Sequence, residues 1–258
     1  MNRLSGKTAI VTGAGQGIGA AIARRFSAEG ASVVIAEINE AVAEATAQAI
    51  LGETGNSVLA VRADVADPES VAAMHSAATT AFGSVDVLVN NAGIAVFREP
   101  LACTMEDWRR CMAVDLEGVW RCCRQALPDM LARRDGAIVN IISNHAFAII
   151  KGTLPYPVAK HGLLGLTRSL ALEYADRGIA INAISPGYTD TRIAQAEFDR
   201  SDDPARGRRE IEAKQPVGRL CRPDEVAAVA AMLASDEARF MIGANIVMDG
   251  GVTLRMYE

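Results

Sequence analysis

The chain has 258 residues, of which 50% are hydrophobic, enough for one sizeable core in a single α/β unit spanning 1–258. Its net charge of −5, with no basic stripe, argues against a nucleic-acid partner. No apolar run approaches the roughly 18 residues that cross a bilayer.

The first seven residues lack the apolar core of a signal peptide, so a cytoplasmic protein is expected. Residues 8–11 form a short apolar run, followed by Thr12-Gly13-Ala14-Gly15-Gln16-Gly17-Ile18-Gly19. The helical pattern Ile18, Ala21, Ile22, Phe26 comes next. This is strand, glycine turn, helix. Such a turn lets backbone N–H groups approach a phosphate, and the helix N-terminus favours the anion. Gly15 to Ala20 also fits G-x-G-x-x-A, so the loop does not assign each glycine its task. A tight β–α connection without a ligand remains the alternative.

The next strand ends in Glu37, 24 residues after Gly13, where an acid accepts both hydroxyls of an adenosine ribose. A carboxylate there repels a 2′-phosphate. Neither Ile38 and Asn39 nor Gln16 offers that phosphate a cation, so NAD is favoured over NADP. Further strands are expected at 57–61, 86–90, 137–142, 179–184 and 244–248, after 8–12 and 32–36. Helices are expected at 17–29, 39–52, 68–82, 105–133, 157–177 and 223–235. Short apolar strands between amphipathic helices indicate a parallel sheet covered on both faces. The five cysteines (Cys103, Cys111, Cys122, Cys123, Cys221) form no C-x-x-C pair and read as reduced. The histidines His75, His145 and His161 lack the clustered carboxylates of a catalytic metal site.

Tyr156 and Lys160 stand four apart, on one face of a helix, with Ser143 upstream. Bringing a tyrosine from ~10 to ~7 takes about 4 kcal/mol, and one cation at about 4 Å in a dielectric of about 20 supplies roughly that. Lys160 is therefore expected to make Tyr156 an acid–base near neutral pH. Pro157 places Tyr156 at the very start of its helix. The segment 190–219 is rich in charge (Asp199, Arg200, Asp202, Asp203, Arg206, Arg208, Arg209, Glu210) and reads as a functional insertion or a solvated surface helix pair.

Taken together, these motifs resemble the short-chain dehydrogenase/reductases nearly end to end. Gly13, Gly17, Ile18 and Gly19 resemble the family's cofactor loop. Asp64-Val65 resembles its adenine-contacting pair, and Asn90-Asn91-Ala92-Gly93 its turn after the fourth strand. Ser143, Tyr156 and Lys160 fall at its catalytic spacing. Pro186-Gly187, with Thr189 and Thr191 beyond, resembles the loop that holds the nicotinamide carboxamide, and Asp249-Gly250-Gly251 the usual end of the last strand.

The resemblance implies a three-layer Rossmann-like fold, with a doubly wound sheet of about seven parallel strands and helices on both faces. It implies hydride exchange between NAD(H) and a secondary alcohol or ketone, such as a sugar or polyol, a 3-oxoacyl thioester or a hydroxysteroid. It also implies that 190–219 is a mobile substrate lid. Tyr156 would exchange the proton, Lys160 would lower its pKa and bind the nicotinamide ribose, and Ser143 would hold the substrate oxygen. Asn91, Ala92 and Gly93 would line the cofactor groove.

One position departs from the pattern. Asp115 stands where the family usually has Asn, whose backbone carbonyl supports a water path to the lysine. A carboxylate there cannot donate as an amide does, and when ionised it raises the lysine's proton affinity.

Substrate-pocket candidates are Asn144, His145, Phe147, Pro155, Tyr188, Ile193 and Phe198, with His145 either a polar contact or a shape-giving neighbour. Trp108, Met112, Val119, Trp120, Leu163, Leu164, Leu166 and Leu170 read as an apolar outer stripe. With the family's habit, that stripe suggests a homotetramer. The other class of reading is a dinucleotide-binding redox sensor or assembly protein. The retention of Ser143, Tyr156 and Lys160 favours an enzyme over it, and a methyltransferase would not explain Tyr156 and Lys160.

Overall fold

The computed structural model describes residues 2–199 and 203–255. Arg200 and Asp202, counted above among the lid charges, lie outside the described residues, as does the side chain of Ile193. The apolar runs become seven parallel strands: β1 (Thr8–Thr12), β2 (Ser32–Glu37), β3 (Val58–Arg62), β4 (Val87–Asn90), β6 (Gly136–Ile141), β8 (Ile179–Pro186) and β9 (Asn245–Met248). Their order in the sheet is β3-β2-β1-β4-β6-β8-β9. Residues alternate in direction along each strand, so both faces need cover. Val11, Val33 and Val139 pack on one side with Ile22 and Phe26 of α1 (Gly17–Ala28), Ile50 of α2 (Glu40–Thr54) and Val226 of α9 (Pro223–Ala234). Ile10, Val34 and Ile138 pack on the other with Met74 of α3 (Pro68–Phe82), Cys123 of α5 (Gly118–Arg133) and Leu163 of α6 (Tyr156–Tyr174). This is the three-layer, doubly wound arrangement the sequence implied.

Chain order reverses between β1 and β4, and ligands of open parallel sheets lie beyond the strand ends at such a point. A buried polar chain ties the elements that meet there. Asn90 Nδ2 donates to Asn140 Oδ1 (2.8 Å), Asn140 Nδ2 to Thr167 Oγ1 (2.9 Å), and Thr167 Oγ1 to the Leu163 carbonyl (2.7 Å). β4, β6 and α6 are thereby held in one register, and α6 carries Tyr156 and Lys160.

Three expectations need correction. The segment 105–133 is not one helix: α4 (Met105–Met112) passes through a π-helical turn (Ala113–Glu117) into α5. The turn swings Asp115 inward, and the close approach of Gly118 to Val65 leaves no room for a Cβ. The supposed outer stripe is largely core: Val119, Leu163 and Leu170 are buried, and Leu164 and Leu166 pack against the same cluster, leaving Trp120 exposed. A two-residue ribbon of β5 (Phe97–Arg98) and β7 (Leu154–Pro155) was not expected at all. It is too short to carry a periodic signal. The segment after β8 forms α7 (Arg192–Phe198) and α8 (Pro204–Lys214), joined through Asp190, which accepts from Arg208 Nη1 and Nη2 at 3.2 and 2.7 Å.

Candidate active site

Two loops at the sheet's reversal point are laced together. Thr12 Oγ1 accepts the N–H groups of Asn91 and Ala92 at 3.0 and 3.1 Å and donates to the Val89 carbonyl. Asn91 Nδ2 returns to the Thr12 and Gly13 carbonyls, both at 3.0 Å. The Asn91 side chain is thus spent on joining the loops. Gly13 has φ +62 and lies against Ala92 Cα, and a Cβ on Gly19 would collide with the Gly13 carbonyl and Asn91 Nδ2. The loop needs glycine at both places. At its rim, Glu37 Oε2 accepts from Gly15 N–H (3.2 Å) and Oε1 from Asn39 N–H (3.3 Å), and Ile38 is exposed beside it.

The second group forms where the β6 strand end meets α6. Ser143 follows β6, and its Oγ accepts from His145 N–H at 3.2 Å. Tyr156 opens α6, with Pro157 in the first turn, as the proline required. Lys160 Nζ lies 5.3 Å from the Tyr156 ring centroid. It also lies 3.2 Å from Asp115 Oδ1, with Asp115 0% and Lys160 4% exposed. The Asp115 oxygens accept the Ile94 N–H at 3.2 and 3.3 Å, and Cys111 Sγ is 3.7 Å from Oδ2.

The charges do not act as the tyrosine–lysine pair alone suggested. Burial pushes the Tyr156 phenol above its usual range; Lys160 pulls it down, Asp115 pushes it up again, and Ser143 lowers it somewhat. Burial alone would lower Lys160, but Tyr156 and Asp115 hold its ammonium above the ordinary lysine value. Burial raises the Asp115 carboxyl, with Lys160 opposing. Burial, with Asp115 beside it, pushes the Cys111 thiol up to about 12. The expectation of a phenol brought to neutrality by Lys160 is therefore reversed in direction. The cause is desolvation combined with a carboxylate that answers the lysine's charge.

A cavity of about 630 Å³ runs from the glycine loop to this cluster. Gly13, Gln16, Gly17, Ile18, Glu37, Ile38 and Val65 line one end, and Asn91, Ala92, Gly93, Asp115, Ser143, Asn144, His145, Tyr156 and Lys160 the middle. Pro186, Gly187, Tyr188, Thr189 and Thr191 line the wall below the α7 segment. Gly15, Gly19 and Asp64 do not line the cavity; the Asp64 carboxylate accepts the Ala66 N–H (2.9 Å), and Ala63 and Val65 stand on the wall in its place. Phe147 is exposed, Pro155 is buried in the β5–β7 ribbon, and Phe198 packs with Ala194 and Leu220. None of these three lines the cavity.

Sequence reasoning missed Phe97, Ile150 and Lys151, which do line it. Phe97 stacks on His145 at 6.2 Å and meets the Tyr156 ring edge-on at 5.4 Å. The apolar run directly after Gly93 was its one available signal. His145 Nε2 is buried without a hydrogen-bond partner among the described residues, and burial lowers the ring's pKa.

A family model described as enoyl-(acyl carrier protein) reductase matches residues 13–253. The chain belongs to the short-chain dehydrogenase/reductases. It is therefore an oxidoreductase of a family that uses nicotinamide cofactors. Among similar members, cis-4-hydroxycyclohexanecarboxylate dehydrogenase of Sinomonas cyclohexanicum is 46% identical, over 96% of each chain. The 3beta-hydroxysteroid dehydrogenase 1 of Eggerthella lenta is 44% identical, over 97% of this chain and 95% of that one. The crystal structure of levodione reductase superposes with a TM-score of 0.95 at 32% identity, covering 99% of this chain and 100% of that one. For a dehydrogenase/reductase of this family, the missing Cβ atoms of the glycine loop and the length of the cavity fit a dinucleotide. No helix among the described residues is long and apolar enough to cross a membrane.

Proposed function

We propose that this chain is an NAD-preferring dehydrogenase that interconverts alicyclic secondary alcohols and their ketones. The observation that carries the reading is the convergence of Ser143, Tyr156 and Lys160 on the wall of one cavity whose other end is the glycine loop. In the proposed complex, the N–H groups around Gly17, Ile18 and Gly19 hold the pyrophosphate, with Gly13, Gly15 and Gln16 shaping the turn. Glu37 accepts the adenosine ribose hydroxyls, and Ile38, Ala63 and Val65 flank the adenine, with Asp64 holding the turn behind them. Asn91, Ala92 and Gly93 form the floor. Pro186, Gly187, Thr189 and Thr191 border the carboxamide, and Lys160 reaches the nicotinamide ribose. A bound nicotinamide supplies the hydride acceptor or donor.

The chain's own groups handle the proton. Ser143 Oγ donates to the substrate oxygen and Tyr156 takes the hydroxyl proton as the alcohol becomes a ketone. Asp115 acts behind Lys160.

The alicyclic preference draws on the apolar, partly aromatic wall of Phe97, Ile94, Ile150 and the His145 ring. It draws also on the hydroxycyclohexane and hydroxysteroid substrates named for two relatives. Tyr188 and the 190–219 lid would close over such a ring, and His145 would serve the pocket chiefly by shape. The chain would act as a cytoplasmic homotetramer of single-domain subunits.

The test is Tyr156→Phe on a panel of cyclic and acyclic secondary alcohols. Turnover should fall by at least about 10³-fold while NADH still binds. Near-wild-type turnover in the variant removes the assignment. Cofactor binding by the wild type with no turnover on any alcohol would point to a redox sensor.

A further inference from the structure

The carboxylate of Asp115 is held by a shell of donors that a water path through its backbone carbonyl does not require. The polar groups that reach it all donate: the Lys160 ammonium at 3.2 Å, the Ile94 N–H, and the Cys111 thiol. None needs a donor in return, so the ionised acid satisfies this shell. The geometry is imposed rather than incidental. The π-helical turn directs Asp115 inward, Gly93 leaves the room it occupies (a Cβ there would lie 2.7 Å from Oδ1), and the residue is 0% exposed.

We propose that Asp115 is a positioning residue that anchors Lys160 and offsets the charge Tyr156 feels from it, so that alcohol oxidation starts only under alkaline conditions. This rests on the dehydrogenase reading above. A lone ammonium beside a phenol stabilises the phenolate, whereas an ammonium closely paired with a carboxylate presents mainly a dipole. The titratable groups facing the pair are Tyr156 and Lys160 from α6, Cys111 from α4, and His145 from the turn after β6, whose ring is 5.6 Å from that of Tyr156. The Cys111 thiol stays protonated, its pKa pushed up to about 12, and burial lowers the His145 pKa, keeping the imidazole neutral down through its usual range. Neither takes over the part of Asp115. The upward displacement of both Tyr156 and Lys160 agrees with this arrangement.

The experiment is a spectrophotometric titration of the Tyr156 phenolate in the cofactor-free protein. It is taken as the difference between wild type and Tyr156→Phe, and repeated in the Asp115→Asn background. The pH dependence of kcat/KM for alcohol oxidation is measured alongside. A unit charge about 8 Å away at an effective dielectric of about 20 moves a titration by roughly 1.5 units. Burial and the paired charge should hold the wild-type phenol above the ordinary tyrosine range. In Asp115→Asn it should fall by about one unit or more, and the acid limb of the rate profile should move down with it. A wild-type phenol titrating below the ordinary tyrosine range overturns the proposal, as does an Asn variant whose phenol is unmoved or raised.

A purely structural role for Asp115 would lower activity without displacing either curve. Should the Asn variant fail to fold, Asp115→Ser, which also removes the charge, is titrated in its place with the same outcomes expected. Should the phenol move as expected while neither protein oxidises any alcohol, the electrostatic role stands and the dehydrogenase reading fails.

Discussion

Replacing Glu37 with Gln tests cofactor choice at its physical root. The carboxylate sits at the cavity rim, half-buried, with its two oxygens held by the Gly15 and Asn39 N–H groups, so it cannot swing far from an incoming 2′-phosphate. At about 4 Å and an effective dielectric of about 40, suited to a half-exposed group, each unit of phosphate charge costs about 2 kcal/mol. A phosphate monoester carries about 1.5 to 2 charges, so wild type should prefer NAD by roughly 10² to 10³ in kcat/KM. The side-chain amide of the Glu37→Gln variant keeps the shape and removes the charge, so the NAD/NADP ratio should fall by about that factor. Part of the fall should come from weaker NAD binding, as the charge-assisted bonds to the ribose are lost. The assay is initial-rate kinetics with both cofactors at one saturating alcohol concentration. A wild type indifferent to the 2′-phosphate, or a ratio unchanged by the substitution, refutes the argument. Arg62, aligned beside Glu37 on β3 and exposed, is the cation that could blunt the preference.

Gly19→Ala should weaken cofactor binding and destabilise the protein by about 1–3 kcal/mol, because the new methyl meets the Gly13 carbonyl and Asn91 Nδ2. Thermal unfolding with and without NADH reads both effects; an unchanged melting temperature and affinity would contradict the close approach. Sedimentation equilibrium should return four times the 27.3 kDa subunit mass, and a monomer-only result removes the tetramer.

The sheet was legible because each strand is a short apolar run bounded by glycine or polar residues, and each helix repeats its apolar face. Tyr156 and Pro157 even fixed the first turn of α6. The π-helical turn was not readable. The periodicity of 113–117 differs from an α-helix by one residue, and only the burial of Asp115 makes that residue matter. Val119 and Leu163 were misread as outer positions because hydrophobicity alone does not say which neighbour covers it. The phenol's altered electrostatics escaped for a related reason. Spacing brought Lys160 to Tyr156, but the compensating carboxylate comes from a different helix, and its distance is a tertiary fact. Phe97 lies on a strand of two residues, below what any periodic pattern can register.

The mutual stitching of Thr12 and Asn91 has an evolutionary corollary. Damage to either residue would disturb the phosphate cradle and the catalytic end together, so the floor of the groove has little freedom to drift. Glu37 and Ile38 stand outside those stitches. Lineages exchanging one dinucleotide for the other should therefore rewrite the rim and leave the seam untouched.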